Sequence, residues 1–172
     1  TYKDSTERTG GLTAPAASAL GVKKQIAIYK GVEGEEVIDW SQEYTGSVKN
    51  SESVKTTTLY SYNNDDSLFS SIVYKDSTVR TNASPLVKPV PADLGAKKSA
   101  TYFTGAKGEE KSLYSQSYAN GSVDKTTLFN YNAADELRST ETYKDSTERT
   151  GGVTKPAVSV LGVKKQIAIY KG

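Results

Sequence analysis

The sequence contains no cysteine, no histidine and no methionine. Without Cys or His, a zinc, haem or iron–sulfur centre has almost no ligands to use. Without Cys, no disulfide compensates for a small core. Without His the commonest general base is gone, and the Ser-rich stretches have nothing to activate them as nucleophiles. The chain is therefore expected not to be an enzyme and to carry no cofactor. No apolar run is long enough for a transmembrane helix, and no signal peptide is recognisable. Charge of one sign is also scarce: Lys plus Arg is 22 and Asp plus Glu is 20, a net +2, with no basic run longer than two. That balance predicts no nucleic-acid partner. Aliphatic content is low, with Leu, Ile, Val and Phe together giving 33 of 172 residues. The 12 Tyr and one Trp supply other surface to bury, which predicts an ordered chain packed through wide, half-buried sheets.

What the chain does have is repetition. Residues 1–31 align without a gap with 142–172, differing only at Leu12/Val153, Ala14/Lys155, Ala17/Val158 and Ala19/Val160. A weaker copy begins VYKDSTVRT at Val73, its Tyr74 lying 72 residues after Tyr2 and 69 before Tyr143. Two versions of one unit thus alternate: 1–73 as the first, 74–142 as the second, and 143–172 as the start of the next. The versions match along their length. Gly31-Val32-Glu33-Gly34-Glu35-Glu36 aligns with Gly105-Ala106-Lys107-Gly108-Glu109-Glu110. Trp40 meets Tyr114, Tyr44 meets Tyr118, and Leu68 meets Leu137. With no initiator Met at either copy of TYKDSTERTGG, the expectation is a window from a long tandem array, in which each unit stacks on its neighbours.

Within each unit a short alternating stretch ends in Tyr or Phe and a turn follows, as in IAIYKG, SQEYTG, YSYNND, SIVYKD, QSYANG and TETYKD. The turns use Gly, Asn and Asp, which tolerate positive φ or bond their own backbone. Asn120-Gly121 is a strong two-residue hairpin signal. Thr, Ser, Tyr, Val and Ile fill the stretches, which suits strands. Period two places Tyr44, Gln42, Trp40 and Ile38 on one face, as it does Tyr118, Gln116, Tyr114 and Ser112. The same count gathers Tyr62, Tyr60, Thr58 and Thr56, then Tyr74, Ile72, Ser70 and Leu68, then Tyr131, Phe129, Thr127 and Lys125. These faces predict aromatic ladders across strands. The segments APAASALGVKK, PVPADLGAKK and KPAVSVLGVKK share Pro, Leu-Gly and Lys-Lys. They read equally as one helical turn or an irregular linker, with Ala or Val positions plugging the interior. The fold class expected is all-β, with antiparallel hairpin repeats coiled into a β-solenoid or a hollow tube or shell.

The stretches YSYNNDDSLFSSIVYKDST and FNYNAADELRSTETYKDST resemble the tyrosine–aspartate (YD) repeats of rearrangement-hotspot and teneurin proteins. Tyr60-Ser61-Tyr62-Asn63 with Leu68, and Phe129-Asn130-Tyr131-Asn132 with Leu137, carry the likeness, with Asn where the YD pattern has Asp. YANGS and YKG are similar to strands of MORN-type repeats. The resemblance implies meandering antiparallel hairpins, which the YD family coils into a hollow shell. It also implies large, bacterial, secreted or surface-exposed proteins.

The acidic pairs Asp65-Asp66, Glu35-Glu36 and Glu109-Glu110 are the only candidates for paired acid–base work. Each lies at a turn, and adjacent strand residues face opposite ways, so they read as solvated turn residues. Asn63-Asn64-Asp65-Asp66 is too compact for a twelve-residue calcium loop, and Gly31-x-x-Gly34 lacks the Lys-Ser/Thr of a phosphate loop. Lys23-Lys24, Lys97-Lys98 and Lys164-Lys165 recur at one phase of the repeat. The candidate contact residues for a glycan or polyanion are Trp40, Tyr114, Lys23, Lys24, Lys97 and Lys98, and no metal site is expected. The bland alternatives are a packed sheet face for the aromatics and solvated strand starts for the lysines. The expected role is a structural repeat segment of a long extracellular or cell-surface β-solenoid, tube or filament. Its expected partners are adjacent copies of the same repeat, in the same chain or in a homo-oligomer, and possible cell-surface polysaccharide. The other readings are a glycan-binding adhesin stalk and a shell around a toxin or other cargo.

Overall fold

A computed structural model describes residues 1–3, 14–16, 19–82, 86–150 and 154–171. Nine strands follow one another: β1 (Gln25–Lys30), β2 (Val37–Thr45), β3 (Ser53–Tyr62), β4 (Leu68–Lys75), β5 (Lys97–Thr104), β6 (Lys111–Ala119), β7 (Ser122–Tyr131), β8 (Leu137–Lys144) and β9 (Lys164–Ile169). They form one sheet in sequence order from β1 to β9, and the protein is all-β and antiparallel. The order is linear and, among the described residues, does not close on itself. The chain divides into two compact units, one of Thr1–Thr58 with Lys75–Gly95, the other of Leu59–Tyr74 with Ala96–Gly172.

In the first unit β1 pairs with β2, Ile26 opposite Gln42 and Ile28 opposite Trp40, with a bulge between Ile28 and Tyr29. The connecting turn needs Gly31 (φ 117°) and Gly34 (φ 87°), a left-handed region that only glycine enters at little cost. Trp40 is fully buried on β2, flanked by the buried Gln42 and Tyr44.

The second unit repeats that hairpin pair for pair. β5 and β6 place Ala100 opposite Gln116 and Tyr102 opposite Tyr114, with the bulge again one step later, between Tyr102 and Phe103. Gly105 (φ 117°) and Gly108 (φ 84°) make the same turn. A Cβ on Gly105 would lie 2.5 Å from the Glu109 carbonyl oxygen, so the glycine is fixed by contact as well as by φ. Asn120 (φ 51°) and Gly121 (φ 82°) close β6 onto β7 with both residues at positive φ, the two-residue turn expected at this dipeptide. The β4–β5 and β8–β9 pairings are likewise equivalent: Ser70 faces Tyr102 as Ser139 faces Ile169, and Tyr74 faces Lys97 as Tyr143 faces Lys164, each after a bulge. The core of this unit is Ala100, Tyr102, Tyr114, Leu128 and Tyr143, with Phe69, Ile72 and Leu161 packed against it. Tyr102 stacks on Tyr114 at 4.8 Å, and Phe69 meets Tyr102 edge-on at 6.0 Å. Each such pair contributes about 0.5–1.5 kcal/mol beyond area burial.

Two expectations are corrected. On β7 the buried residues are Val123, Thr126 and Leu128, not the set Tyr131, Phe129, Thr127 and Lys125. The extra residues at the neighbouring bulges are Asp124 on β7 and Arg138 on β8, so β7 alternates regularly from Lys125 to Tyr131 and buries the side that carries Thr126 and Leu128. The aromatic ladder accordingly runs through Tyr102, which the count from strand ends left out. The second and third Pro–Leu-Gly–Lys-Lys segments each contain a single 3-10 turn, Pro91–Asp93 and Val158–Val160, while the first lies partly outside the described residues. Val158 and Val160 are exposed, and Leu161 is the residue of this segment that reaches the core. The following glycine is required by close approach: Gly162 N–H donates to the Lys144 carbonyl at 2.9 Å, and a Cβ there would lie 2.6 Å from that oxygen.

Candidate functional site

Four residue types recur in one buried polar constellation. In the first unit Gln42, fully buried on β2, donates through Nε2 to Thr57 Oγ1 (3.0 Å) and to the Thr78 carbonyl (2.9 Å). Its Oε1 accepts from the Arg80 backbone N–H at 3.0 Å. Thr57 on β3 donates to Asp76 Oδ2 at 2.6 Å, and Arg80 Nε donates to the same oxygen at 3.0 Å. The Thr78 backbone N–H donates to Asp76 Oδ1 at 3.0 Å. In the second unit Gln116 donates to Thr126 Oγ1 (3.0 Å) and the Thr147 carbonyl (2.9 Å) and accepts from Arg149 N–H at 2.9 Å. Thr126 and Arg149 Nη2 donate to Asp145 Oδ2 at 2.7 and 3.1 Å, and Thr147 N–H donates to Asp145 Oδ1 at 3.0 Å.

This is a clasp. The segment after β4 or β8, Lys-Asp-Ser-Thr-x-Arg, leaves the strand and is fastened back onto the sheet by one Gln and one Thr side chain. Because Asp and Arg stand four apart, one carboxylate joins the guanidinium, a strand hydroxyl and the local backbone. Burial alone raises both Asp carboxyls. The hydrogen bonds and the adjacent guanidinium outweigh it, so both are held below the ordinary value. Each Asp is therefore ionised at neutral pH and already saturated by donors. A general base is instead poised near its working pH, so the chemistry this arrangement favours is fastening.

A second recurring feature joins lysine to tyrosine. Lys23 Nζ lies 4.8 Å from the centre of the Tyr44 ring, Lys97 5.0 Å from Tyr118, and Lys164 5.5 Å from Tyr143. Lys97 also pairs with Glu148, which accepts from Tyr118 Oη at 3.3 Å. Tyr44 Oη shares a hydrogen bond with Thr81 at 2.8 Å. The Tyr118 hydroxyl thus reaches the second clasp segment, and that of Tyr44 the residue after the first. Burial pushes Tyr114 up to about 12 and raises Tyr118 still further, with Glu148 adding to the latter.

The residues singled out from the sequence fall as follows. Trp40 is 0% exposed and Tyr114 2%, so both rings are packed within the sheet and neither offers a face to a sugar in this conformation. Lys23 and Lys97 are half-buried over tyrosine rings, whereas Lys24 and Lys98 are exposed. Neighbouring lysines point to opposite faces, so neither dipeptide presents both charges together. Lys24 Nζ donates to the Gly46 carbonyl at 3.4 Å. The turn carboxylates bind their own turns: Glu36 accepts from Gly34 N–H at 3.0 Å, Glu110 from Gly108 N–H at 2.9 Å, and Asp65 from Ser67 N–H at 3.1 Å. Among the described residues no group of three or more His, Cys, Asp or Glu is arranged to hold a metal ion, and no helix is long and apolar enough to cross a membrane. Two depressions of about 390 and 410 Å³ lie beside the turn at Asn63–Ser67 and beside the second clasp.

The clasp itself was not assigned from the sequence. Its signals were present: Asp and Arg four apart in KDSTVR and KDSTER, and Gln and Thr at matching positions of both versions. Nothing in one dimension joins a glutamine to an aspartate 34 residues away.

No protein-family model matches the chain, and neither does any curated protein or solved structure.

Proposed function

We propose that the chain is a structural repeat segment of a long extracellular β-solenoid, tube or filament, whose working partners are neighbouring copies of the repeat. The observation that carries this reading is the reuse of one pairing rule. The register of β4–β5 returns in β8–β9, and that of β1–β2 returns in β5–β6, bulge for bulge. A chain built by such a rule extends by adding units, each burying what its neighbour leaves open. The recurring clasps support the reading, because their Asp and Gln groups are engaged in holding segments to the sheet. The extracellular placement follows from the YD resemblance.

The test is electron microscopy of native surface material with an antibody against TYKDSTERTGG. Regular labelling along filaments is expected. Labelling confined to discrete globular particles would overturn the reading.

A further inference from the structure

The Lys155 amine is drawn under cover. The residue is half-buried and stands in the segment after the second clasp, just before Pro156. Its Nζ donates to the Phe129 carbonyl and, at 2.9 Å, to Asn130 Oδ1, both on β7. Asn130 is held from its other end as well, where its Nδ2 donates to Ser139 Oγ on β8 at 3.2 Å. Asn130 faces Ser139 and Leu128 faces Glu141 across these strands, so Asn130, Ser139 and Glu141 share one face. Glu141 is already engaged by Lys164 Nζ at 3.1 Å and by the Tyr143 hydroxyl.

A solvated lysine stays protonated near neutral pH and does not attack. At Lys155 the loss of solvent lowers the amine from its ordinary value, and the charge of Glu141, which acts the other way, does not cancel that effect. A desolvated lysine is a nucleophile because more of it is neutral. An amine held against one carboxamide also has the proximity that makes a slow bimolecular reaction an intramolecular one.

We infer that Lys155 and Asn130 join in an intramolecular isopeptide bond. The lone pair of the neutral Nζ attacks Asn130 Cγ, the Nζ–Cγ bond forms and the Cγ–Nδ2 bond breaks. One Nζ proton passes to Nδ2, with Ser139 Oγ beside it as a relay, and Nδ2 leaves as ammonia. The step exchanges one amide for another and consumes no oxidant or co-reactant. The bond fastens to β7 the same stretch of chain that the neighbouring clasp holds by hydrogen bonds alone. It closes a loop between positions 25 apart, which restrains the unfolded chain as a disulfide does in proteins that have cysteine.

The other copies lack the reacting pair. Lys88 stands at the Lys155 position in the first unit, where its Nζ pairs with Asp39 at 2.9 Å. Ser61 stands where β7 has Asn130, and Ala14 replaces the lysine in the N-terminal copy. The linkage is therefore particular to the second unit, and it does not depend on the filament reading.

The test is intact-mass spectrometry of the whole chain after incubation in mildly alkaline buffer, followed by trypsin. Cleavage after Lys125, Arg138, Arg149 and Lys164 leaves Asn130 in 126–138 and Lys155 in 150–164, since Lys155 precedes proline. A mass lower by one ammonia is expected, with a branched peptide joining those two segments. Lys155→Arg keeps the charge but removes the nucleophile, and it is expected to return the full mass, as is Asn130→Ser. Succinimide closure at Asn120-Gly121 also expels ammonia. A mass loss that persists in Lys155→Arg, or one without the branched peptide, therefore overturns the inference. So does an unchanged mass in the incubated wild-type protein, a result that stands even if either variant fails to fold.

Discussion

Replacing Asp76 with alanine removes the acceptor at the centre of the first clasp. Thr57 Oγ1 at 2.6 Å, Arg80 Nε at 3.0 Å and Thr78 N–H at 3.0 Å lose their partner together. Thr57 is fully buried, and the Asp76 side chain is only 3% exposed, so water does not readily replace the carboxylate. Breaking one side of a buried ion pair costs about 3–5 kcal/mol, and an orphaned buried hydroxyl costs about 1–3 kcal/mol. These costs overlap, since both arise from the same lost oxygen, and a loss of about 4 kcal/mol is expected. For a chain of this length that is roughly 8–16 °C in Tm. The assay is built into the protein: Trp40, the single tryptophan, is buried on the strand that carries Gln42. Its fluorescence during urea or thermal unfolding reports on the clasped unit. Asp76→Asn keeps the shape but loses the charge, and about half the loss is expected. If Asp76→Ala lowers stability by less than about 1 kcal/mol, the range of an ordinary exposed pair, the clasp does not hold this segment and the reasoning fails.

Three further outcomes are expected. The Asp76 and Asp145 carboxyls are held below their ordinary value when folded. Their stabilisation is therefore present above the unfolded value of about 4 and lost as pH falls through the folded values. Urea midpoints measured from pH 7 down to pH 2 should fall on the acid side, and less steeply in Asp76→Asn/Asp145→Asn. Gly105→Ala forces a Cβ to 2.5 Å from the Glu109 oxygen at φ 117°. It is expected to cost about 1–3 kcal/mol, whereas Gly108→Ala, with nothing within 4 Å of its Cβ, pays only the φ penalty. Equal losses in chemical denaturation would contradict the close-approach argument. Burial pushes Tyr114 to about 12, so ultraviolet titration should find tyrosine ionisation lagging well beyond pH 10 while the fold persists. Tyr114→Phe should remove part of that late phase.

The all-β class was legible in the sequence because turn chemistry is local. Asn120-Gly121 and the Gly31/Gly34 and Gly105/Gly108 pairs dictate positive φ wherever they stand, and the β-branched stretches between them favour strands. The duplication was legible for the simpler reason that it is written in the letters. Period two placed Trp40, Gln42, Tyr114 and Gln116 on a buried face because β2 and β6 are regular over those residues. It failed on β7, which alternates regularly from Lys125 to Tyr131 but buries the side of Thr126 and Leu128, because period two sorts residues into faces without saying which face is covered. Only the tertiary structure decided that Gln42 meets Asp76 and Gln116 meets the segment after β8, since these are contacts between residues about thirty positions apart. Only it decided, too, that β1 lies against β2 and β9 against β8. A sequence fixes what a strand can pair with, but its neighbours in space determine which of its edges is filled.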